Sequence, residues 1–181
     1  MEDLSLHVLD IAQNSLRAGA KNLLIEIRDH PEKDLLEITV EDDGCGMDEE
    51  FLRKVTDPFI TTRKTRGIGL GLPLFKMAAE MTGGSFHIDS QPGKGTKVTA
   101  SFSYLHIDRP PIGSMSETVV TLIQGNPDVR IRYERVTEHA SFVLDTMEIT
   151  QILDGVPLNE HEVLQWIKNH IDQSEQELLS K

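Results

Sequence analysis

Asp10, Asn14 and Arg17 stand at i, i+4 and i+7 of a segment with helical periodicity. At about 100° per residue they fall within a wedge of roughly 60° on one helix face, opposite the apolar residues. A carboxylate, an amide and a guanidinium in that row offer a proton acceptor, an oxygen ligand for Mg²⁺ and a phosphate clamp. Taken alone, the row reads more readily as a solvated face with a capping-type pairing. A second group is Glu41-Asp42-Asp43-Gly44-Cys45-Gly46-Met47, placed just after an apolar run. Gly44 and Gly46 let the backbone turn tightly against a flat ligand, and the preceding Asp42 carboxylate can accept a hydrogen bond from an exocyclic amine. A third, Gly67-Ile68-Gly69-Leu70-Gly71-Leu72, directly precedes a helical segment and supplies free N–H groups to a phosphate. These glycines follow a basic loop rather than a strand, which argues against a dinucleotide-binding turn. Gly93-Lys94-Gly95-Thr96 leads into an apolar run and brings the Thr96 hydroxyl to the same set.

Positioning these residues requires a particular order of elements. Leu4, Val8, Leu9, Ile11, Ala12 and Leu16 mark an amphipathic helix over residues 3–18 that stops at Gly19. Residues 23–28 and 35–40 are β-branched, apolar runs joined by a Pro-containing turn, hence two strands. Residues 48–55 read as a short helix, 57–71 as a polar, basic, glycine-bearing loop, and 72–81 as a helix closed by Gly83-Gly84. Residues 86–89 and 97–102 are two further strands. The order predicts an α/β fold, a two-layer sandwich with its helices on one face of a mixed sheet. Asp108-Arg109-Pro110-Pro111 marks a boundary, dividing the chain into residues 1–105 and a small α-β-β-α appendage over 106–181. In that appendage, residues 116–124 form a helix capped by Ser116. Strands follow at 129–133 and 142–147, and a last helix starts near Asn159. The Val163, Leu164, Ile167 and Ile171 stripe of that helix, with Trp166 beside it, is core, or else a face for a partner.

With 18 Lys+Arg against 30 Asp+Glu over 181 residues, the net charge is −12, which disfavours phosphate backbones and anionic membranes as direct partners. No stretch is long and apolar enough to span a bilayer, and the acidic N-terminus lacks a secretory signal. The expectation is a soluble, cytoplasmic protein that contacts neither nucleic acid nor membrane. Cys45 is alone and reads as a small wall residue. No His/Cys cluster has metal-ligand spacing, and no Ser/His/Asp arrangement emerges.

The four glycine- and asparagine-bearing segments, in this order and spacing, resemble the N, G1, G2 and G3 boxes of the GHKL superfamily, the histidine-kinase-like ATPases with the Bergerat fold. The resemblance covers residues 1–105. It implies that ATP or ADP binds with Mg²⁺, with Asn14 as the Mg²⁺ ligand. It also implies that Asp42 recognises the adenine amino group, that Gly44, Gly46 and Met47 shape that pocket, and that Thr96 lies beside it. Asp57-Pro58-Phe59-Ile60-Thr61-Thr62-Arg63 is similar to the F box of sensor kinases and leads into an ATP lid. The resemblance therefore adds Phe59, Thr62, Arg63, Lys64, Arg66, Gly67, Gly69, Leu70, Gly71 and Leu72 to the nucleotide-binding set.

Two departures matter. The ATPase branch carries a glutamate four residues before its asparagine, where this chain has the shorter Asp10, so water activation by Asp10 stays open as its catalytic role. Arg17, three residues after the asparagine, is typical of sensor kinases and tilts the reading toward that branch. The phosphoacceptor helix hairpin is not expected here, because the N box begins almost at residue 1. His7 lacks the acidic residue that follows a phosphoacceptor histidine and lies inside the ATP helix, so it is not read as an acceptor. Three functions follow from the resemblance: phosphoryl transfer to a separate protein partner, an ATP-hydrolysing switch, or a non-catalytic nucleotide sensor. The sequence does not speak to oligomeric state.

Overall fold

The computed structural model describes residues 3–57 and 70–180. Helix α1 (Leu4–Arg17) turns Leu4, Val8, Ile11 and Ala12 inward, at the i, i+4, i+7, i+8 spacing of a single helix face. It ends where Gly19 adopts φ +80°, a conformation open to glycine at no steric cost. Strands β1 (Asn22–His30) and β2 (Leu35–Asp42) form an antiparallel hairpin. Their connection is a single 3-10 turn, Pro31–Lys33, closed by Asp34 in the left-handed region.

Helix α2 (Glu49–Val55) is capped by Asp48, whose carboxylate accepts the Phe51 N–H at 2.8 Å. After helix α3 (Gly71–Met81), strands β3 (Phe86–Gln91) and β4 (Gly95–Ser103) form a second hairpin, and β4 pairs antiparallel with β2. Each of these elements lies within a residue or two of the sequence expectation.

Helix α4 (Met115–Gly125) carries the chain across the sheet to β5 (Arg130–Val136), which runs parallel to β1, and β6 (Ser141–Asp145) folds back antiparallel on β5. The result is one mixed sheet of six described strands in the order β3-β4-β2-β1-β5-β6. A helical crossover is what a parallel pair demands. Helices α1, α3, α4 and α6 (His161–Leu179) pack on one another in a single layer against one face of the sheet, as the two-layer expectation required. The opposite face is polar, carrying Glu26, Arg28, Glu37, Lys97 and Arg132.

One continuous core of buried side chains runs from Ile25, Ile38 and Phe102 to Ile131, Tyr133 and Ile167, so residues after 105 share it. Beneath α6 the buried Arg135 guanidinium donates to both Asp29 oxygens, at 2.9 and 3.3 Å, and approaches the Glu175 carboxylate at 3.1 Å, tying β1, β5 and α6 through charge.

Two local expectations are corrected. The cap of α4 is Ser114, whose hydroxyl accepts the Glu117 N–H, while Ser116 is fully buried in the first turn. The second strand of the C-terminal hairpin stops at Asp145, whose carboxylate accepts the Met147 N–H at 3.0 Å and starts a helix the sequence reading lacked, α5 (Thr146–Leu153).

Candidate functional site

The C-terminal ends of β2 and α1 and the start of β4 converge on a cleft of about 280 Å³. Its floor holds Asp42, only 8 % exposed. Gly44 N–H donates to Asp42 Oδ1 at 2.8 Å, and the Ser15 hydroxyl donates to Oδ2. Each carboxylate oxygen keeps a further lone pair, so the buried group is held rigid and still has acceptor capacity. Thr96 is the register partner of Asp42 across the β2/β4 pair. Its hydroxyl lies 2.9 Å from that of Ser90 on β3, and Ser90 Oγ also accepts the Met47 N–H at 2.8 Å. Ser90 thus joins β3, β4 and the loop after β2 in one polar cluster.

The walls are apolar: Ile11, Met47, Phe51, Val55, Leu72 and Val98. Asn14 and Arg17 stand at the α1 edge, with Arg17 Nη1 donating to Asn14 Oδ1 at 3.1 Å. A flat base against apolar walls with one buried carboxylate for its amine, and a phosphate chain running to an amide and a guanidinium, matches this donor set. Asn14 Oδ1 retains a lone pair for a Mg²⁺ ion, whose other ligands would be phosphate oxygens and water.

The glycine positions explain themselves sterically. A Cβ on Gly46, at φ +67°, would lie 2.0 Å from the Gln91 carbonyl oxygen, and one on Gly95 would lie 1.9 Å from that of Asp42. Gly44 does not line the cleft; it packs behind Asp42 against Ala18. Next to it, burial alone would raise the Asp43 carboxyl. The Asn22 side chain at 2.7 Å and the Asn22 and Lys21 N–H groups, both at 2.8 Å, override this and hold it below its usual range. Asp43 therefore clamps the start of β1 rather than facing the cleft. Cys45 is an exposed residue of the cleft wall.

Asp10 is exposed and lies outside the cleft lining, beside the first turn of α3: a Cβ on Gly71 would sit 2.9 Å from that of Asp10. Leu70 is the exposed residue before that helix, Gly71 is buried in it, and Leu72 reaches the cleft. His7 is 6 % exposed and stacks obliquely on Phe75, centroids 5.7 Å apart. It lines a separate groove between α1 and α3 rather than the nucleotide-facing side. Phe59, Thr62, Arg63, Lys64, Arg66, Gly67 and Gly69 lie outside the described residues.

The sequence reading missed Ser15 and Ser90. Ser15 had a signal, since it lies one turn beyond Ile11 and beside Asn14. Ser90 had none until strand pairing set it opposite Thr96.

The family model described as histidine kinase-, DNA gyrase B-, and HSP90-like ATPase matches residues 2–106. Sensor histidine kinase WalK of Bacillus subtilis is 35 % identical over 111 residues, 57 % of this chain and 18 % of that protein. Sensor kinase CckA of Brucella abortus is 41 % identical over 73 residues, 40 % of this chain and 8 % of its own length. The chain thus spans less than a fifth of these relatives. The solved N-terminal domain of a DNA repair protein shares the fold with a TM-score of 0.53 at 16 % identity, over 80 % of this chain and 53 % of that one.

Fold and family match together define an ATP-binding domain of the two-layer α/β type. The chain belongs to the histidine kinase-, DNA gyrase B- and HSP90-like ATPases, which bears out the resemblance read over residues 1–105. Among the described residues no helix is long and apolar enough to cross a membrane.

Proposed function

We propose that the protein binds ATP with Mg²⁺ in the cleft above Asp42 and passes the γ-phosphoryl group to a side chain of a separate protein, acting in the cytoplasm. The observation that carries this reading is the buried Asp42 carboxylate, fixed by Ser15 and Gly44, in line with the Asn14–Arg17 pair at the cleft's edge. Asp42 takes the adenine amine, Asn14 supplies an oxygen to the metal, and Arg17 balances phosphate charge. Such a transfer breaks the bond between the β,γ-bridging oxygen and the γ-phosphorus, forms one from the acceptor atom to that phosphorus, and releases ADP. Positioning and charge neutralisation are the main demands on the protein. The similarity to sensor kinases supports the kinase reading, as does Arg17.

A second reading is slow ATP hydrolysis, favoured by the place of Asp10 beside the first turn of α3, a helix end suited to phosphate. Incubating the protein with γ-labelled ATP and a soluble extract separates the two. Label on another protein supports transfer. Free phosphate alone, lost in Asp10→Asn with nucleotide affinity intact, supports hydrolysis. Nucleotide binding with neither product leaves a non-catalytic regulator.

A further inference from the structure

The parallel register of β1 and β5 runs to Arg28 beside Val136. Two residues further on, His30 ends β1 and Glu138 lies in the bend between β5 and β6. His30 Nδ1 and Glu138 Oε1 lie 3.9 Å apart, and both atoms are shielded from solvent without a hydrogen-bond partner. That separation is too long for a hydrogen bond. It suits two ligands of one ion, since donor-to-metal distances of about 2.0–2.1 Å allow ligand pairs up to roughly 4.2 Å apart. Two more donors lie beside Glu138: ligand atoms of Glu32, Glu138 and His139 all lie within 4.8 Å of one another.

The backbone under these residues is fixed. Pro31 opens the 3-10 turn that carries Glu32, and Asp34 N–H closes it on the Pro31 carbonyl at 3.1 Å. In the β5–β6 hairpin the Thr137 hydroxyl accepts the N–H groups of His139 and Ala140, while Thr137 N–H donates to the Ala140 carbonyl at 2.9 Å. Donors of such different sequence position are invisible to any spacing rule, which is why the sequence shows no metal motif here.

We propose that Glu32, Glu138 and His139, with His30 beside Glu138, form a site for one divalent transition-metal ion of the zinc type, clasping the β1–β2 turn to the β5–β6 hairpin. An imidazole with two carboxylates, a second imidazole close by and no thiolate suit borderline ions, whereas Mg²⁺ and Ca²⁺ prefer oxygen alone. The site is independent of the nucleotide cleft. Asp43 marks the cleft end of β1 at Asn22, and eight residue steps of about 3.3 Å put His30 roughly 26 Å away.

The test is a calorimetric titration of the full chain with Zn²⁺ in the absence of nucleotide, beside Glu138→Gln and His139→Ala. His139 is exposed, so its removal leaves the fold intact. One Zn²⁺ per chain in the wild type, weakened at least tenfold in each variant, is the expected result; Co²⁺ should give visible ligand-field bands that change in His139→Ala. No stoichiometric uptake overturns the proposal and leaves His30 and Glu138 as a loose ion pair. Undiminished uptake in either variant overturns it equally, because the ion would then sit on other histidines or on Cys45.

Discussion

Asp42 already receives two protein donors, so its value to a ligand lies in the lone pairs they leave. A charged hydrogen bond at a buried carboxylate is worth about 1.5–3 kcal/mol, so Asp42→Asn is expected to weaken ATP or ADP binding tenfold or more by calorimetry; unchanged affinity would remove Asp42 from the base pocket. Ser15→Ala removes only a neutral O–H donor to Oδ2 and should cost about 0.5–1.5 kcal/mol of affinity, a loss of roughly two- to twelvefold. Asn14→Ala should weaken binding far more with Mg²⁺ than without it. Equal losses would mean that the Asn14–Arg17 contact serves the helix and not a metal. Asp42, Asn14 and Thr96 were legible because glycines and an amphipathic helix frame them in sequence. Ser15 and Ser90 were not, because a hydroxyl acquires its role only from the partner the fold sets beside it.

At the scale of elements, Asp145 joins three of them. Arg130 pairs with it at 2.6 Å across β5 and β6, and the same carboxylate caps α5. The Arg130 hydrogen bond, the cap and the nearby charges hold this carboxyl below its usual range against the opposing effect of burial. Since an unfolded aspartate titrates near pH 3.9, the unfolded chain takes up this proton first. The stabilisation is complete above about pH 4 and is lost as pH falls through the lower native value. Thermal melts between pH 6 and pH 2.5 should therefore show a shallower acid loss for Asp145→Asn than for the wild type; parallel curves would refute this. The sequence carried a trace of α5, with Asp145 three residues before Glu148 in the manner of a capping box. The alternation of Phe142 to Met147 outweighed it, and period-two patterning says little about where a strand ends.

For the whole molecule, the layer order was legible because each helix and strand of the first 105 residues carries a clean period. The place of the last two strands was not, since pairing between distant strands leaves no periodic mark. Both edges of β1 are used, β2 on one and β5 on the other. Ending the chain at residue 105 would strip β1 of one ladder and uncover core from Ile25 to Ile27. At roughly 2–4 °C per kcal/mol for a chain of this size, a loss of several kcal/mol should lower the melting temperature by more than 10 °C. A truncated chain that melts like the intact one would instead establish residues 1–105 as a self-sufficient domain with 106–181 as an accessory module.

The parallel pair of β1 and β5 also sets a timetable. Asn22 meets Arg130 across more than a hundred residues of chain, and ribosomes add about 5–20 residues per second. A newly made β1 therefore waits roughly 5–20 s with an open edge, the kind of surface that recruits other strands. Nascent chains stalled just before residue 130 should be more readily cut by protease than chains released whole. The described residues that line the cleft, Ile11 to Val98, are all synthesised before β5, so on the proposed function a nucleotide bound there would steady the chain while the sheet is still unfinished.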